Sequence, residues 1–547
     1  MKTIIFRREI IVTAIGYLKE STVDLGKQFK WSYLPPLMVY VAAGIAGLTG
    51  IVGMFFIKDY LNLSAAFLAS LGFWAGLPWA LKMPLGHLVD LIWRHKNYMV
   101  YFGASIIAVS LLIMYGLIGH TDYMVTILRA ETWFVISVIL SPVGYVIQDV
   151  VADAMTVEAV PLVDERGVEF SPEKIKEMHT MMQTLGRFAI IGGTVLVAFA
   201  NVILFQGVDL LAENDRILLY ANIYLYALVI PIVSVLGVFL AIYLKKRRDR
   251  ALKQLKGFGY ENEIRENKIK VNWTILIGSL IFVIFSLGVG SFNIPFAQEI
   301  VFLGSVMIIL FLMGRLIKEL PESQRLMIVG TAIIIFIFRA IPNPGPGMNW
   351  FEIDVLGFNE QFFSVLSLLS SLLTLLGIIA LRPYIAKNSI AKVIVVLSLA
   401  GAVLFLPSIG MYYGFHNWTA SVSAGIVDAR FIAIINTALE SPLGQVAMIP
   451  LLAWIAKNAP SNMKATFFAV FASFTNLALS ASALLTKYLN EIFVITRGVK
   501  NKVTGEIVST SDYSELGLLL ITVAILTLAL PLGAIFIVQR TKLRTTD

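Results

Sequence analysis

Ser141-Pro142-Val143-Gly144-Tyr145-Val146 lies inside an apolar run in the first half of the chain, and it returns in the second half as Ser441-Pro442-Leu443-Gly444-Gln445-Val446. A further proline step follows each copy at nearly the same distance, Val160-Pro161 after the first and Ala459-Pro460 after the second. Two copies of one helical unit predict two parallel halves related by an axis along the membrane normal, with a solute site between them at mid-depth. A Ser-Pro-x-Gly step is also an ordinary kink in membrane helices, so the repeat has a purely conformational reading as well.

The surroundings of the repeat set the class. Of 547 residues 58% are hydrophobic and only 14% are charged. With a mean hydropathy of +0.81, the apolar residues must face lipid. Runs long enough to cross about 30 Å of hydrocarbon recur about fourteen times. Six are centred on Leu37–Phe56, Ala65–Lys82, Tyr98–Ile118, Thr132–Ala152, Met181–Leu204 and Leu218–Leu244. The charged segment Lys245–Asn272 follows, then an apolar pair, Trp273–Ser291 and Ala297–Met313. Six more close the chain, at Met327–Ile341, Phe362–Leu381, Ile390–Tyr412, Phe431–Ile455, Ala465–Thr486 and Leu516–Val538. The expected organisation is a segment 1–36, a six-helix bundle 37–244, a basic loop 245–272, an inserted hairpin 273–320 and a second bundle with a short tail 321–547.

Charge placement orients this all-α polytopic membrane protein. The net charge of +8 sits mostly in short segments between spans, where basic residues mark the cytoplasmic side. Lys245-Lys246-Arg247-Arg248, Arg94/Lys96, Arg315/Lys318, Arg382/Lys387 and Arg540/Lys542/Arg544 all fall inside if both termini are cytoplasmic. The charge is an orientation signal in the cytoplasmic membrane rather than a nucleic-acid footprint. Arg7, Arg8, Glu9, Lys19, Glu20 and Asp24 interrupt the first thirty residues, so no cleaved leader is expected and the first span is retained. Zero cysteines and five scattered histidines leave no metal site, no cofactor site and no nucleophile–base set, which argues against a membrane enzyme. Two halves of unequal charge also lack the repeated rings of a channel.

Two stretches carry chemistry. Gly86-His87-Leu88-Val89-Asp90-Leu91-Ile92-Trp93-Arg94-His95-Lys96 follows the second span. It resembles the major facilitator loop signature, which implies a cytoplasmic gate built from Gly86, Asp90, Arg94 and Lys96; an ordinary charged turn has the same composition. In Gln148-Asp149-Val150-Val151-Ala152-Asp153 the two acids lie four apart, so one helical face carries both with Tyr145. An ionisable group in a span is costly unless paired or wetted, which makes it a functional hypothesis. The other copy of the repeat has Ile449 and Ala453 at the matching places. Asp153 has a structural alternative, a bridge to Arg94 or Lys96.

Asp149 to Ala154 with Val157-Glu158, Pro78-Trp79-Ala80-Leu81-Lys82, Met348-Asn349-Trp350-Phe351, Leu356-Gly357-Phe358 and Ala465-Thr466-Phe467-Phe468-Ala469 together resemble the folate–biopterin transporter family of the major facilitator superfamily. The resemblance covers most of the chain outside its tails. It implies a secondary carrier for a folate- or biopterin-like solute, with protons as coupling partner, working as a monomer in the bilayer. The muropeptide permeases share the lysine and a similar acidic helix, and are the competing family. Met83 stands where the family has proline, with Pro84 one place later, and the apolar pair Trp273–Met313 looks like an insertion between the halves. On this reading Asp149, Asp153, Lys82, Arg187, Arg339, Tyr145, Trp79 and Glu440 are the solute- or proton-site residues. Lys82 taken alone would snorkel to the interface. Arg339 lies too deep for that. Trp74, Trp79 and Tyr145 could stack a flat ring or serve as ordinary interfacial aromatics. The row Gly44, Gly47, Gly50, Gly53 either packs the first helix closely or bares backbone to a pathway.

Overall fold

The computed structural model describes residues 29–80, 82–161, 170–256, 277, 281, 283–286, 288–290, 294–318, 320–443, 464–500 and 506–544. The N-terminal set comprises α1 (Leu34–Gly44), α2 (Gly50–Tyr60), α3 (Ala65–Ala80), α4 (Lys82–Leu91), α5 (Lys96–Gly119), a short α6 (Thr121–Ile127), α7 (Ala130–Ala159), α8 (Pro172–Leu204), α9 (Glu213–Tyr226) and α10 (Val229–Lys256). After α11 (Ala297–Ile317) come α12 (Glu322–Arg339), α13 (Pro346–Asp354), α14 (Glu360–Lys387), α15 (Ile390–Tyr412), α16 (Phe415–Val422), α17 (Ala429–Glu440), α18 (Lys464–Ile492) and α19 (Leu516–Gln539). Among the described residues, nine helical stretches are long and apolar enough to cross a membrane. Most of the expected span Trp273–Ser291 and the end of Phe431–Ile455 lie outside the described residues. Phe102, Leu196, Phe199, Val403, Leu406 and Ile525 are exposed, as lipid-facing residues should be.

Several expected spans are broken. A 3-10 turn, Ile45–Thr49, divides the first span into α1 and α2, and the sixth is divided at Ala227-Leu228, before Pro231. The two copies of the repeat also differ. Pro142 lies inside a continuous α7, whereas α17 stops at Glu440 and passes into a 3-10 turn, Ser441–Leu443. The loop between the last two spans carries two short antiparallel strands, β1 (Val499–Lys500) and β2 (Ile507–Ser509).

Glycines set the closest crossings. A Cβ on Gly44 would run into the Ile190 carbonyl and lie 2.9 Å from the Cα of Gly193, so α1 and α8 meet backbone to backbone. Likewise a Cβ on Gly103 would lie 2.7 Å from the carbonyl of Gly144, the glycine of the repeat. Gly50, in the same row as Gly44, has open space around it. At Gly44, then, the row serves packing.

α11 is built into the seam between the halves. On α11, Gln298 Nε2 donates to the Ser70 hydroxyl (2.8 Å) and carbonyl (2.9 Å) of α3 in the first half. Its neighbour Glu299 pairs with Lys487 of α18 in the second half at 3.1 Å and accepts from Tyr488. Phe73, Leu77, Val301 and Leu484 pack under these contacts.

At the face opposite the basic segment, polar contacts latch one half to the other. Buried Lys58 at the end of α2 pairs with Asp354 at the end of α13 (2.5 Å), and Tyr513 donates to the same carboxylate at 2.5 Å. Tyr220 donates to Glu360, and Asn359 to Asp209. Arg497 donates to the Leu61 carbonyl while its guanidinium stacks 4.3 Å from the Trp350 ring. Near this latch burial pushes the carboxyl of Glu352 up to about 7 and the guanidinium of Arg497 down to about 10.

Two expectations follow. In a helix, Gly→Ala ordinarily stabilises by about 0.5–1 kcal/mol. Gly50→Ala should therefore keep or raise the melting midpoint of detergent-purified protein, whereas Gly44→Ala should lower it or abolish monodisperse protein, because the backbone of α8 occupies the methyl's place. Glu352 titrates higher in the folded protein than in the unfolded chain. Its contribution is thus present below the ordinary carboxylate range and is lost as pH rises towards about 7. The midpoint should fall from pH 5 to pH 8 by more in wild type than in Glu352→Gln; equal pH dependence in both would remove Glu352 as a cause.

Candidate functional site

α7 stays helical through Asp149 and Asp153, which puts the two carboxylates one turn apart on the same side. Val150, Val151 and Ala152 between them are buried in the apolar core with Val100, Met182 and Val238. Lys82, the first residue of α4, reaches this face. Its Nζ lies 2.5 Å from Asp149 Oδ2 and 2.8 Å from Asp153 Oδ2. Tyr40 of α1 donates to the other oxygen of Asp153 at 2.5 Å. The side chain of Asp149 is 11% exposed and that of Asp153 is 41% exposed, so the inner acid is shielded and the outer one wetted. Gly186 makes room for this arrangement: a Cβ there would lie 2.8 Å from the Tyr40 ring.

Lys82 therefore does not snorkel. Two acids face it, and their attraction offsets the desolvation that would otherwise drive its ammonium to the interface. Asp153 does not bridge to Lys96 either. Lys96 is buried, pairs with Glu158 at 2.8 Å and lies 4.0 Å from the centre of the Trp93 ring. This ties α5 to α7 within one half. The described structure of the expected gate is otherwise slight: Gly86 is half-buried, with room for a Cβ at ordinary contact with Val150, and the side chains of Asp90 and Arg94 lie outside the described residues.

Arg187 on α8 is exposed, yet its charge acts on Asp149 and Tyr40 within the half and on Arg339 across it. An arginine in a span is a functional candidate by default. Arg339 is half-buried, and its Nε has no partner among the described residues. Arg187 and Arg339 thus bring two like charges within mutual influence from different halves, and an anion there would relieve the repulsion. Tyr145 packs against the core formed by Leu48, Phe55 and Ile107. Trp79 packs against the core around Val150, and its carbonyl accepts from Asn476 of α18 at 3.1 Å. Glu440, apart from these, opens into a cavity of the second half lined by α14 and α17.

Sequence reasoning missed two parts of this constellation and the latch between the halves. Tyr40 has a faint signal, since it lies one turn before Gly44 on the packing face of α1. Gln148, buried with its amide donating to Ser234 (2.9 Å) and to the Val100 carbonyl (3.2 Å), locks the rotation of α7. The latch pair Lys58–Asp354 lies at span ends, where charged residues are ordinary.

Among solved structures, a POT family transporter in complex with 5-aminolevulinic acid superposes with a TM-score of 0.57 at 12% identity, covering 94% of this chain and 96% of that one. The nucleoside transporter NupG superposes with a TM-score of 0.51 at 11% identity, covering 94% of this chain and 100% of that one. At such identities the likeness shows the fold alone: both are transporters with a major facilitator-like fold, as the repeat predicts. In sequence, the "Folate-biopterin transporter" of Synechocystis sp. (strain ATCC 27184 / PCC 6803 / Kazusa) is 20% identical over 489 residues, 86% of this chain and 78% of that protein. The pattern of the BT1 family matches residues 43–546, nearly the whole chain. The chain thus belongs to the BT1 family and is an integral membrane transporter rather than an enzyme.

Proposed function

We propose that this transporter is a proton-coupled carrier for a pterin-containing solute of the folate or biopterin class, working by alternating access as a monomer in the cytoplasmic membrane with both termini inside. The observation that carries the coupling is one lysine shared by two carboxylates, Lys82 with Asp149 and Asp153. Lys82 offsets one negative charge and leaves a second, which a proton can neutralise. In a low-dielectric interior the two protonation states differ enough in energy to favour different arrangements of the helices. The name of the Synechocystis relative supports the solute class.

The cations Arg187 and Arg339 suit the carboxylates of a folate tail. Moving a dianion inward against a negative-inside potential costs about 4.6 kcal/mol per 100 mV, so two accompanying protons would cancel the electrical cost. A muropeptide shares the anionic character but not the flat pterin, so competition among folate, biopterin and an anhydromuropeptide in proteoliposomes separates the two solute classes.

Asp149→Asn keeps the shape of the side chain and removes its proton chemistry. It should insert and fold, lose pH-driven accumulation by at least ten-fold, and retain solute counterflow without a gradient. Asp153→Asn should be milder, because that acid is already wetted and Tyr40 can still donate to the amide oxygen. Accumulation at the wild-type level by Asp149→Asn would remove the coupling role from this residue.

A further inference from the structure

The second half holds a cavity of about 500 Å³ between α14 and α17. On α17, Phe431, Ile435 and Leu439 are exposed at four-residue spacing and form the lipid-facing stripe. Thr437 and Glu440 lie on the opposite side of that helix. On α14, Val365, Leu372 and Leu376 are exposed, while Ser367, Ser370 and Thr374 turn to the cavity. Two helices thus present a carboxylate and a set of hydroxyls to one open cavity. At its end Gly377 lets the helices close up: a Cβ there would lie 2.5 Å from the Cα of Pro442.

The hydroxyls divide into committed and available groups. Thr374 donates to the Ser441 carbonyl at 3.0 Å, and Ser441 donates to the Thr437 carbonyl at 2.5 Å. Ser367, Ser370 and the Glu440 carboxylate line the cavity with no such commitment among the described residues. Nor does any cation of the described residues pair with Glu440, in contrast to Asp149 and Asp153, which Lys82 and Tyr40 already engage. A carboxylate on a membrane helix without a protein partner is a ligand-binding group in waiting.

We propose that Glu440 is the solute-recognition carboxylate: its two oxygens accept the paired N–H groups of an amidine-like ring edge, as in a 2-amino-4-oxopyrimidine ring, with Ser367 and Ser370 beside it and Phe363 as an apolar wall. This rests on the reading of the solute as a pterin. It assigns recognition of the ring to the second half and leaves the charged face of α7 to protons. Geometry favours a carboxylate for this task, because a bidentate acceptor matches two parallel donors and each charge-assisted bond is about twice as strong as a neutral one.

The test is calorimetric binding to the detergent-solubilised full chain of two probes, 6-methylpterin and 6-methyllumazine, which differ in having an amino group or an oxygen at ring position 2. Wild type should prefer the pterin by about ten-fold or more, the size expected of one charge-assisted hydrogen bond. Glu440→Gln, whose amide offers one acceptor and one donor, should lose that preference, and Ser370→Ala should weaken both probes by a few-fold while keeping it. Unliganded melting curves show whether each variant is folded, and the wild-type preference stands as a test without any variant. Equal binding of the two probes by wild type, or a preserved preference in Glu440→Gln, would overturn the role of Glu440 and leave the pterin reading intact. Failure of wild type to bind either probe would overturn the pterin reading and this site with it.

Discussion

Lys82 places one positive charge against two carboxylates inside a helical bundle, and the first half is arranged around that contact. In a low-dielectric interior such charges are expensive to bury and more expensive to separate: removing one partner of a buried pair costs about 3–5 kcal/mol. The contact therefore fixes α4 against α7, and Tyr40 extends it to α1. Close glycine crossings bring these helices within reach. Gly44 against Gly193 sets α1 on α8, and Gly186 leaves room for the Tyr40 ring. Buried Gln148 holds α7 in the rotation that turns Asp149 and Asp153 to the lysine. Packing thus supplies geometry, and the ion pair supplies the reason for that geometry.

The two halves share a repeat but divide the chemistry. The first carries the charged cluster on a helix that runs unbroken through its proline. In the second, the matching helix ends at Glu440 and enters a 3-10 turn, which brings the carboxylate to the rim of a hydroxyl-lined cavity. The halves pack through α3 on α18 and α8 on α14, and polar contacts between them include the latch of Lys58, Asp354, Tyr513, Tyr220 and Glu360 and those made by α11. Adjacent residues of α11 hold different halves, Gln298 the first and Glu299 the second. A rocking motion of one half against the other must strain or release these contacts.

Much of this was legible in the sequence, for identifiable reasons. Apolar runs of bilayer length recur with little charge, so the spans could be placed: Ile390–Tyr412 has the same limits in the sequence reading and in the structure. Asp149 and Asp153 stood out because i,i+4 spacing in a span needs no tertiary information. Lys82 was a candidate partner, but a lone lysine near a span end is also the ordinary picture of snorkelling, and only the fold brings α4 against both acids. Lys58 and Asp354 escaped for the same reason, being far apart in sequence and each at a span end. The breaks at Ile45–Thr49 and Ala227-Leu228 were invisible to hydropathy, which averages over them. The grip of α11 on both halves was not legible, because it depends on which face of the helix carries Gln298 and Glu299.

We propose that the charge balance at Lys82 is both a structural keystone and the coupling switch. The most direct measurement is a double-variant cycle on Lys82→Met, Asp149→Asn and their combination, read as melting midpoint and as solute uptake with and without an imposed pH gradient. Lys82→Met alone leaves two carboxylates facing each other without a cation and should be the least stable of the set. Adding Asp149→Asn should recover much of that stability and restore counterflow, but not pH-driven accumulation. A combined variant that accumulates solute against a gradient as wild type does would contradict the claim.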